Sequence, residues 1–212
     1  MARSLFPSQM ALPLALPADP RDDSFLVTPS NARAVHLLER WGAWQVRVAI
    51  LTGPRRSGRS TLARLFAAKS GGAIIDDAHA TSEEALFHAW NAAQSSGRPL
   101  LLVTDAPPPL WDVALPDLRS RLAASVHVEV GAPDDALVRS LLDYRLNRLG
   151  LDARPDLVDW LSSRIERSHL AVERTVDALD QACAERRKRL TIPLARATLI
   201  DAGLIAGKPE MP

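Results

Sequence analysis

The chain of 212 residues carries 26 Lys and Arg against 25 Asp and Glu, a net charge of +1, with 47% hydrophobic residues, enough length and apolar content for a packed core. That near balance speaks against a dedicated DNA binder, whose affinity comes from a dense basic surface that displaces counterions; only weak or partner-assisted contact with DNA is expected. The single cysteine, Cys183, excludes an internal disulfide and a cysteine metal cluster, and between Ala182 and Ala184 in a helical pattern it reads as a small packing residue.

Residues 1–23 hold prolines at 7, 13, 17 and 20 and read as a flexible, extended tail, with order expected from about Phe25. The apolar stretch Met10 to Leu16 is interrupted by Pro13 and closed by Pro17, so it is neither a signal peptide nor a spanning helix. A cytoplasmic protein without membrane contact is the expectation. Ser30 and Asn31 can start a helix with Ala34, Leu37, Leu38 and Trp41 on one face, ended by Gly42. A buried strand then runs from Val46 to Leu51.

That strand feeds into Gly53-Pro54-Arg55-Arg56-Ser57-Gly58-Arg59-Ser60-Thr61, which fits the phosphate loop G-x-x-x-x-G-K-[ST] except at Arg59, where lysine is expected. Glycines at both ends let backbone N–H groups turn onto an anion, and Ser60 or Thr61 can offer a hydroxyl to magnesium. Arginine is a broad, always-charged fork rather than a compact point charge, which favours holding a nucleotide over turning it over. A plain Arg/Ser/Gly turn is the alternative. The helix expected from Ser60 to Lys69 would put the phosphate at a helix N-terminus, where the dipole favours it.

Ala73-Ile74-Ile75-Asp76-Asp77 has the form of a Walker B strand: Asp76 would hold magnesium through water and Asp77 would face the attacking water. Two aspartates capping the next turn are the blander reading. Thr81 and Glu84 suggest a capping box opening a helix with Leu86, Ala89, Trp90 and Ala93 on one face and Gly97 at its end. Leu100–Val103 and Val126–Val130 are further strands, so strands and helices alternate as in a parallel sheet covered on both faces. From Pro133 the pattern is helical only. Helices are expected from Asp134 or Asp135 to Leu149, from Pro155 past Ile165, from Ala171 to Arg187, and from Thr191-Ile192-Pro193 to about Gly203. The basic run Arg186-Arg187-Lys188-Arg189 reads as a solvated helix end or, alternatively, a nucleic-acid patch.

An α/β phosphate-loop domain followed by a small all-α lid is the layout of the AAA+ ATPases. The chain resembles their DnaA-like branch and, within it, the Hda-type regulators that inactivate the replication initiator DnaA. Gln9-Met10-Ala11-Leu12-Pro13-Leu14 is similar to the sliding-clamp-binding motif of that family, Leu115-Pro116-Asp117-Leu118-Arg119-Ser120-Arg121-Leu122 to its box VII, and Leu190-Thr191-Ile192-Pro193-Leu194 to the end of its lid. The resemblance divides the chain into a tail with the clamp motif (1–23), an AAA+ domain (24–132), a lid (133–205) and a C-terminal tail (206–212).

The resemblance implies a job for each matching residue. Gln9 would hydrogen-bond at the rim of a clamp pocket that Met10, Leu12 and Leu14 fill, with Pro13 keeping the peptide extended; packing of this peptide on its own domain is the alternative. Arg121 matches the family's arginine finger, which enters a neighbouring subunit's site, and Arg119 would contact phosphate or DNA; the alternative is a pair of surface arginines. Asn31 aligns with a residue that approaches adenine, and Thr104 or Asp105 with sensor I. Two departures weigh against intrinsic turnover. Only 15 positions separate Thr61 from Asp76, too few for the extra strand and helix usual there, so a trimmed parallel sheet is expected. Leu170 stands where sensor II has an arginine, with Arg167 and Arg174 nearby.

The resemblance thus implies a regulator, tethered to the clamp, that supplies Arg121 in trans so that DnaA hydrolyses its own ATP. The protein's own pocket would hold ADP or ATP, with Mg, through Gly53, Gly58, Arg59, Ser60, Thr61, Asp76 and Asp77, and would have little or no ATPase activity. A homodimer stays open. The alternatives are an autonomous ATPase such as a helicase loader or remodeller, and a clamp-localised module without activity. A DnaA-type initiator is not expected, because the residues after the last helix cannot hold a helix-turn-helix.

Overall fold

The computed structural model describes residues 25–107 and 110–206. The chain divides between Gly131 and Ala132 into two compact units. In the first, four parallel strands, β1 (Val48–Thr52), β2 (Ala73–Ile75), β3 (Leu100–Val103) and β4 (Val126–Glu129), pair in the order β2-β3-β1-β4. Register sets Ile50 beside Leu102 and Leu51 beside Val128. Every residue of β1 and β3 is buried, as expected of central strands covered on both faces. With β2 at the edge, the sheet is the trimmed one that the short interval before Asp76 implied.

Strand alternation divides the core. Ala49, Leu51, Leu101 and Val103 pack with Leu38, Leu62 and Phe66 from α1 (Pro29–Glu39) and α2 (Arg59–Ser70). Val48, Ile50, Leu100 and Leu102 face the other way, onto Leu86, Leu118 and Leu122 of α3 (Glu83–Ser96) and α4 (Pro116–Ala124). The C-terminal ends of the strands therefore open onto one edge of the sheet, where ligands of open α/β folds bind.

Cap positions differ slightly from the sequence reading. α1 starts at Pro29 with Thr28 as its N-cap, because proline at the first position is pre-set for a helix. α3 is capped by Ser82, whose Oγ accepts the Ala85 N–H at 3.3 Å, rather than by Thr81; that leaves Glu83 and Glu84 together in the first turn.

The second unit is all helical: α5 (Asp135–Arg148), α6 (Pro155–Ser162), α7 (His169–Arg186) and α8 (Ile192–Asp201) enclose Leu142, Leu146, Leu161, Val172, Leu179 and Leu199. Asp134, Ser168 and Thr191 cap α5, α7 and α8 through their side chains. Arg187 closes α7 in a left-handed conformation (φ 48°), its N–H donated to the Cys183 carbonyl, so the basic run forms the end of that helix. Cys183 is buried and free, and burial, reinforced by Asp180, pushes its thiol up. His169 is buried at the start of α7, where burial and then Arg145 push its imidazole down, keeping it neutral. No helix among the described residues is long and apolar enough to cross a membrane.

Candidate functional site

The loop after β1 makes the turn its glycines allow. Gly53 has φ 152°, and a Cβ there would meet the Val130 carbonyl oxygen at 2.7 Å; Gly58 has φ 82°, and a Cβ would touch the Phe25 ring at 3.1 Å. Gly58 is the N-cap of α2, so the first N–H groups of that helix face the loop. Ser57 sits buried inside the turn, and its Oγ has no partner among the described residues.

Two sets of side chains converge on this loop. Ser60 Oγ donates to Asp76 Oδ2 at 3.0 Å, bringing together the hydroxyl and the carboxylate that the sequence paired on a magnesium ion. Asp76 Oδ1 accepts the Asp77 N–H at 3.0 Å, which helps hold Asp77 in a left-handed turn (φ 47°). The hydroxyl of Thr61 is 3.4 Å from the Arg64 guanidinium. Among the described residues no three His, Cys, Asp or Glu gather as a metal site.

Arg59 points instead toward the end of β3. Its Nη1 donates to the Thr104 carbonyl and its Nη2 to Asp105 Oδ1 at 2.6 Å, while Arg55 Nε lies 3.8 Å from Asp105 Oδ2. The Arg59 hydrogen bond holds the Asp105 carboxyl below its usual range, outweighing burial, which acts the other way. Arg59 is 14% exposed in its side chain. The cation at the lysine position is therefore a staple between the loop and the sheet.

Thr104 is buried and donates its hydroxyl proton to the Ala106 carbonyl at 3.2 Å, so in its 3.2 Å contact with His79 Nδ1 the ring is the donor. Asn31 is 2% exposed and engaged at both ends of its amide: Oδ1 accepts the Thr28 N–H and Nδ2 donates to the Leu26 carbonyl, at 2.9 and 2.8 Å. It shapes the strand of chain that lays Phe25 on Gly58.

The two arginines of α4 have distinct surroundings. Arg119 donates from Nε and Nη2 to the Val113 carbonyl at 3.0 and 2.6 Å, and Glu83 accepts the N–H groups of Ala114 and Leu115 at 2.7 and 2.8 Å. Together they fix the entry to α4. Arg121 projects toward α3: Nε and Nη2 pair with the two Asp117 carboxylate oxygens at 3.0 and 2.9 Å, and Nη1 donates to Asn91 Oδ1. Its guanidinium lies 4.6 Å from the Phe87 ring and 4.7 Å from the Trp90 ring.

In the helical unit, Leu170 and Arg174 are exposed and Arg167 pairs with Asp135 at 2.6 Å. Gln9, Met10, Leu12, Pro13 and Leu14 lie outside the described residues. Sequence reading missed Phe25, His79, Glu83 and the trio Phe87, Trp90 and Asn91. The trio had a signal, since positions 87, 90 and 91 share one helical face, but Trp90 there reads as core.

Residues 135–199 match the family model of the Hda lid domain. The fold is similar to domain III of the Thermotoga maritima replication initiation protein DnaA at TM-score 0.70 and 15% identity, covering 86% of this chain and 95% of that one. It is also similar to AMPPCP-bound DnaA from Aquifex aeolicus, at TM-score 0.59 and 16% identity over 77% of this chain and 67% of that one. The Thermotoga maritima RuvB Holliday junction branch migration motor matches at TM-score 0.59 and 15% identity, over 80% of this chain and 66% of that one.

Proposed function

We propose that this protein regulates the replication initiator DnaA by promoting hydrolysis of DnaA-bound ATP, a reading supported by the match of residues 135–199 to the Hda lid domain and by the similarity of the fold to DnaA domain III. Its tail, through Gln9, Met10, Leu12, Pro13 and Leu14, tethers it to the DNA polymerase sliding clamp. Arg121 then enters the DnaA site and stabilises charge on the transferred phosphoryl group. The observation that carries this reading is the engagement of Arg59 by Thr104 and Asp105, which leaves the protein's own pocket without a free cation at the lysine position. Chemistry is thereby displaced to the partner.

The pocket still suits a nucleotide, and DnaA relatives of this fold bind AMPPCP. Backbone N–H groups between Gly53 and Thr61 would receive the phosphates, and the buried Ser57 hydroxyl is an unspent group facing into the same turn. Ser60 and Asp76 would hold a magnesium ion whose other ligands come from phosphate and water. ADP is the expected occupant, since Arg59, at the lysine position, is engaged by Thr104 and Asp105 rather than left to a γ-phosphoryl.

The test combines clamp-loaded DNA, ATP-bound DnaA and this protein. Arg121→Ala is expected to abolish the added ATP turnover, and Gln9→Ala with Leu12→Ala to abolish its dependence on the clamp. Equal turnover in all variants removes the proposal and leaves a clamp-localised binding module. The Ser60–Asp76 pair favours a second reading, an autonomous ATPase. It predicts intrinsic turnover that Asp76→Asn eliminates.

A further inference from the structure

We propose that Asp117 is a placeholder for a phosphoryl group on Arg121, and that Phe87, Trp90 and Asn91 are positioning residues that keep the guanidinium in place while that group is exchanged. This rests on the reading of Arg121 as acting in trans.

Arg121 is held by two kinds of partner. Its Nε/Nη2 edge, the one shaped for a bidentate anion, is occupied by both oxygens of Asp117. Its Nη1 is held by Asn91 and its guanidinium lies over the rings of Phe87 and Trp90, all on α3 and all uncharged. Asp117 belongs to α4 itself, one turn before Arg121, and its side chain is 62% exposed. An i,i+4 pair in that setting is weak and screened. The α3 partners come from a separate element and leave the Arg121 side chain 25% exposed.

The consequence is an exchange rather than a swing. A terminal phosphoryl group offers oxygens at the same bidentate spacing as a carboxylate with more negative charge, so it displaces Asp117 from the Nε/Nη2 edge. The α3 contacts need not break, because they use other parts of the guanidinium. Asp117 neutralises Arg121 until a more highly charged anion arrives, which keeps the arginine from pairing with weaker anions. Phe87, Trp90 and Asn91 pre-set its plane, so little ordering remains to be done on docking.

The experiment has two readouts on the full chain. In protein with 15N-labelled arginine side chains, the Arg121 Nε–H signal is assigned by its loss in Arg121→Lys. Its solvent exchange is expected to be slower than that of freely exposed arginines in the wild type and in Asp117→Asn, and to become fast in Trp90→Leu and Asn91→Ala, with Trp90→Phe restoring slow exchange. In the assay with clamp-loaded DNA and ATP-bound DnaA, Asp117→Asn and Asp117→Ala are expected to lower the half-saturating concentration of this protein about two- to threefold at unchanged maximal turnover. Trp90→Leu and Asn91→Ala lower maximal turnover.

Fast exchange in Asp117→Asn with slow exchange in Asn91→Ala overturns the division of labour. A raised half-saturating concentration in both Asp117 variants overturns the placeholder. If Arg121→Ala is inactive while the Asp117 variants match the wild type, the placeholder alone is wrong. If Arg121→Ala matches the wild type, the trans reading falls and the placeholder with it.

Discussion

Arg59 and Arg121 are both paired with an aspartate, yet the two pairs are built differently. Arg59 is joined to a carboxylate 46 positions away and to the neighbouring Thr104 carbonyl, so it ties the glycine loop after β1 to the end of β3. Arg121 pairs with a carboxylate 4 positions back on its own short helix. Breaking the first pair releases the start of α2 from the end of β3; breaking the second leaves α4 seated by Leu118 and Leu122 and its entry fixed by Glu83. One arginine is therefore part of the fold. The other is attached to it in a way that can be exchanged.

The sharpest way to break this comparison is to remove each arginine and read both activity and stability. Arg121→Ala is expected to cut DnaA-dependent ATP turnover by roughly 10³-fold, the lower range for a lost arginine finger. Its cost in stability is small, about 1 kcal/mol, because it loses an exposed i,i+4 pair and two stacked rings at the surface. Arg59→Ala should do the reverse, lowering stability by about 1–2 kcal/mol through loss of charge-assisted hydrogen bonds at a half-exposed carboxylate, with turnover near wild type. Denaturant unfolding and the turnover assay on both variants check the crossing. A common ranking in the two assays would erase the distinction.

A second variant, Arg59→Lys, restores the usual phosphate-loop residue. A lysine cannot bridge Thr104 and Asp105 as the guanidinium fork does, and its compact charge becomes available to phosphate. Nucleotide binding followed by titration calorimetry should tighten, by about tenfold for one gained charge-assisted contact of about 1.5 kcal/mol. Unchanged affinity would mean that the staple does not compete with the ligand.

How far each region was legible follows from the range of its interactions. The loop, its helix and the flanking strands are specified by contiguous residues, so the turn at Gly53 and Gly58 is legible from spacing, and Ser60 and Asp76, which that spacing assigns to one ion, lie in hydrogen-bond contact. The trimmed sheet was legible as the short interval before Asp76. What Arg59 does was not: its substitution for lysine is visible, but Thr104 and Asp105 come beside it only because β3 pairs with β1. The surroundings of Asn31 were hidden for a related reason. It lies where a nucleotide-facing residue was expected, and its amide is spent on Thr28 and Leu26. At Arg121 the local half, Asp117, was readable from i,i+4 spacing, while Phe87, Trp90 and Asn91 required knowing that α3 lies against α4. Helix caps differ by a residue or two because Thr28 and Ser82 compete with neighbours of the same chemistry, Ser30 and Thr81.

The smallest expected effect tests whether Asp105 belongs to the fold as firmly as Arg59 does. Arg59, chiefly by its hydrogen bond and then by its charge, with Arg55 adding to it, holds the Asp105 carboxyl below its ordinary value of about 3.9. A carboxyl lowered in the folded state binds fewer protons there than in the unfolded chain, so stability rises with pH across the interval between the two values. The contribution is whole above about pH 3.9 and is lost as pH falls through the lower folded value. Asp105 is half exposed, so solvent screens much of it and the slope is shallow. Denaturant unfolding followed down from pH 5 should show Asp105→Asn losing less stability on acidification than the wild type. Arg59→Ala should flatten the same limb, because it removes the group that lowers the carboxyl. A slope unaltered in both variants would mean that the Arg59–Asp105 pair exchanges as freely as the Arg121–Asp117 pair is proposed to do.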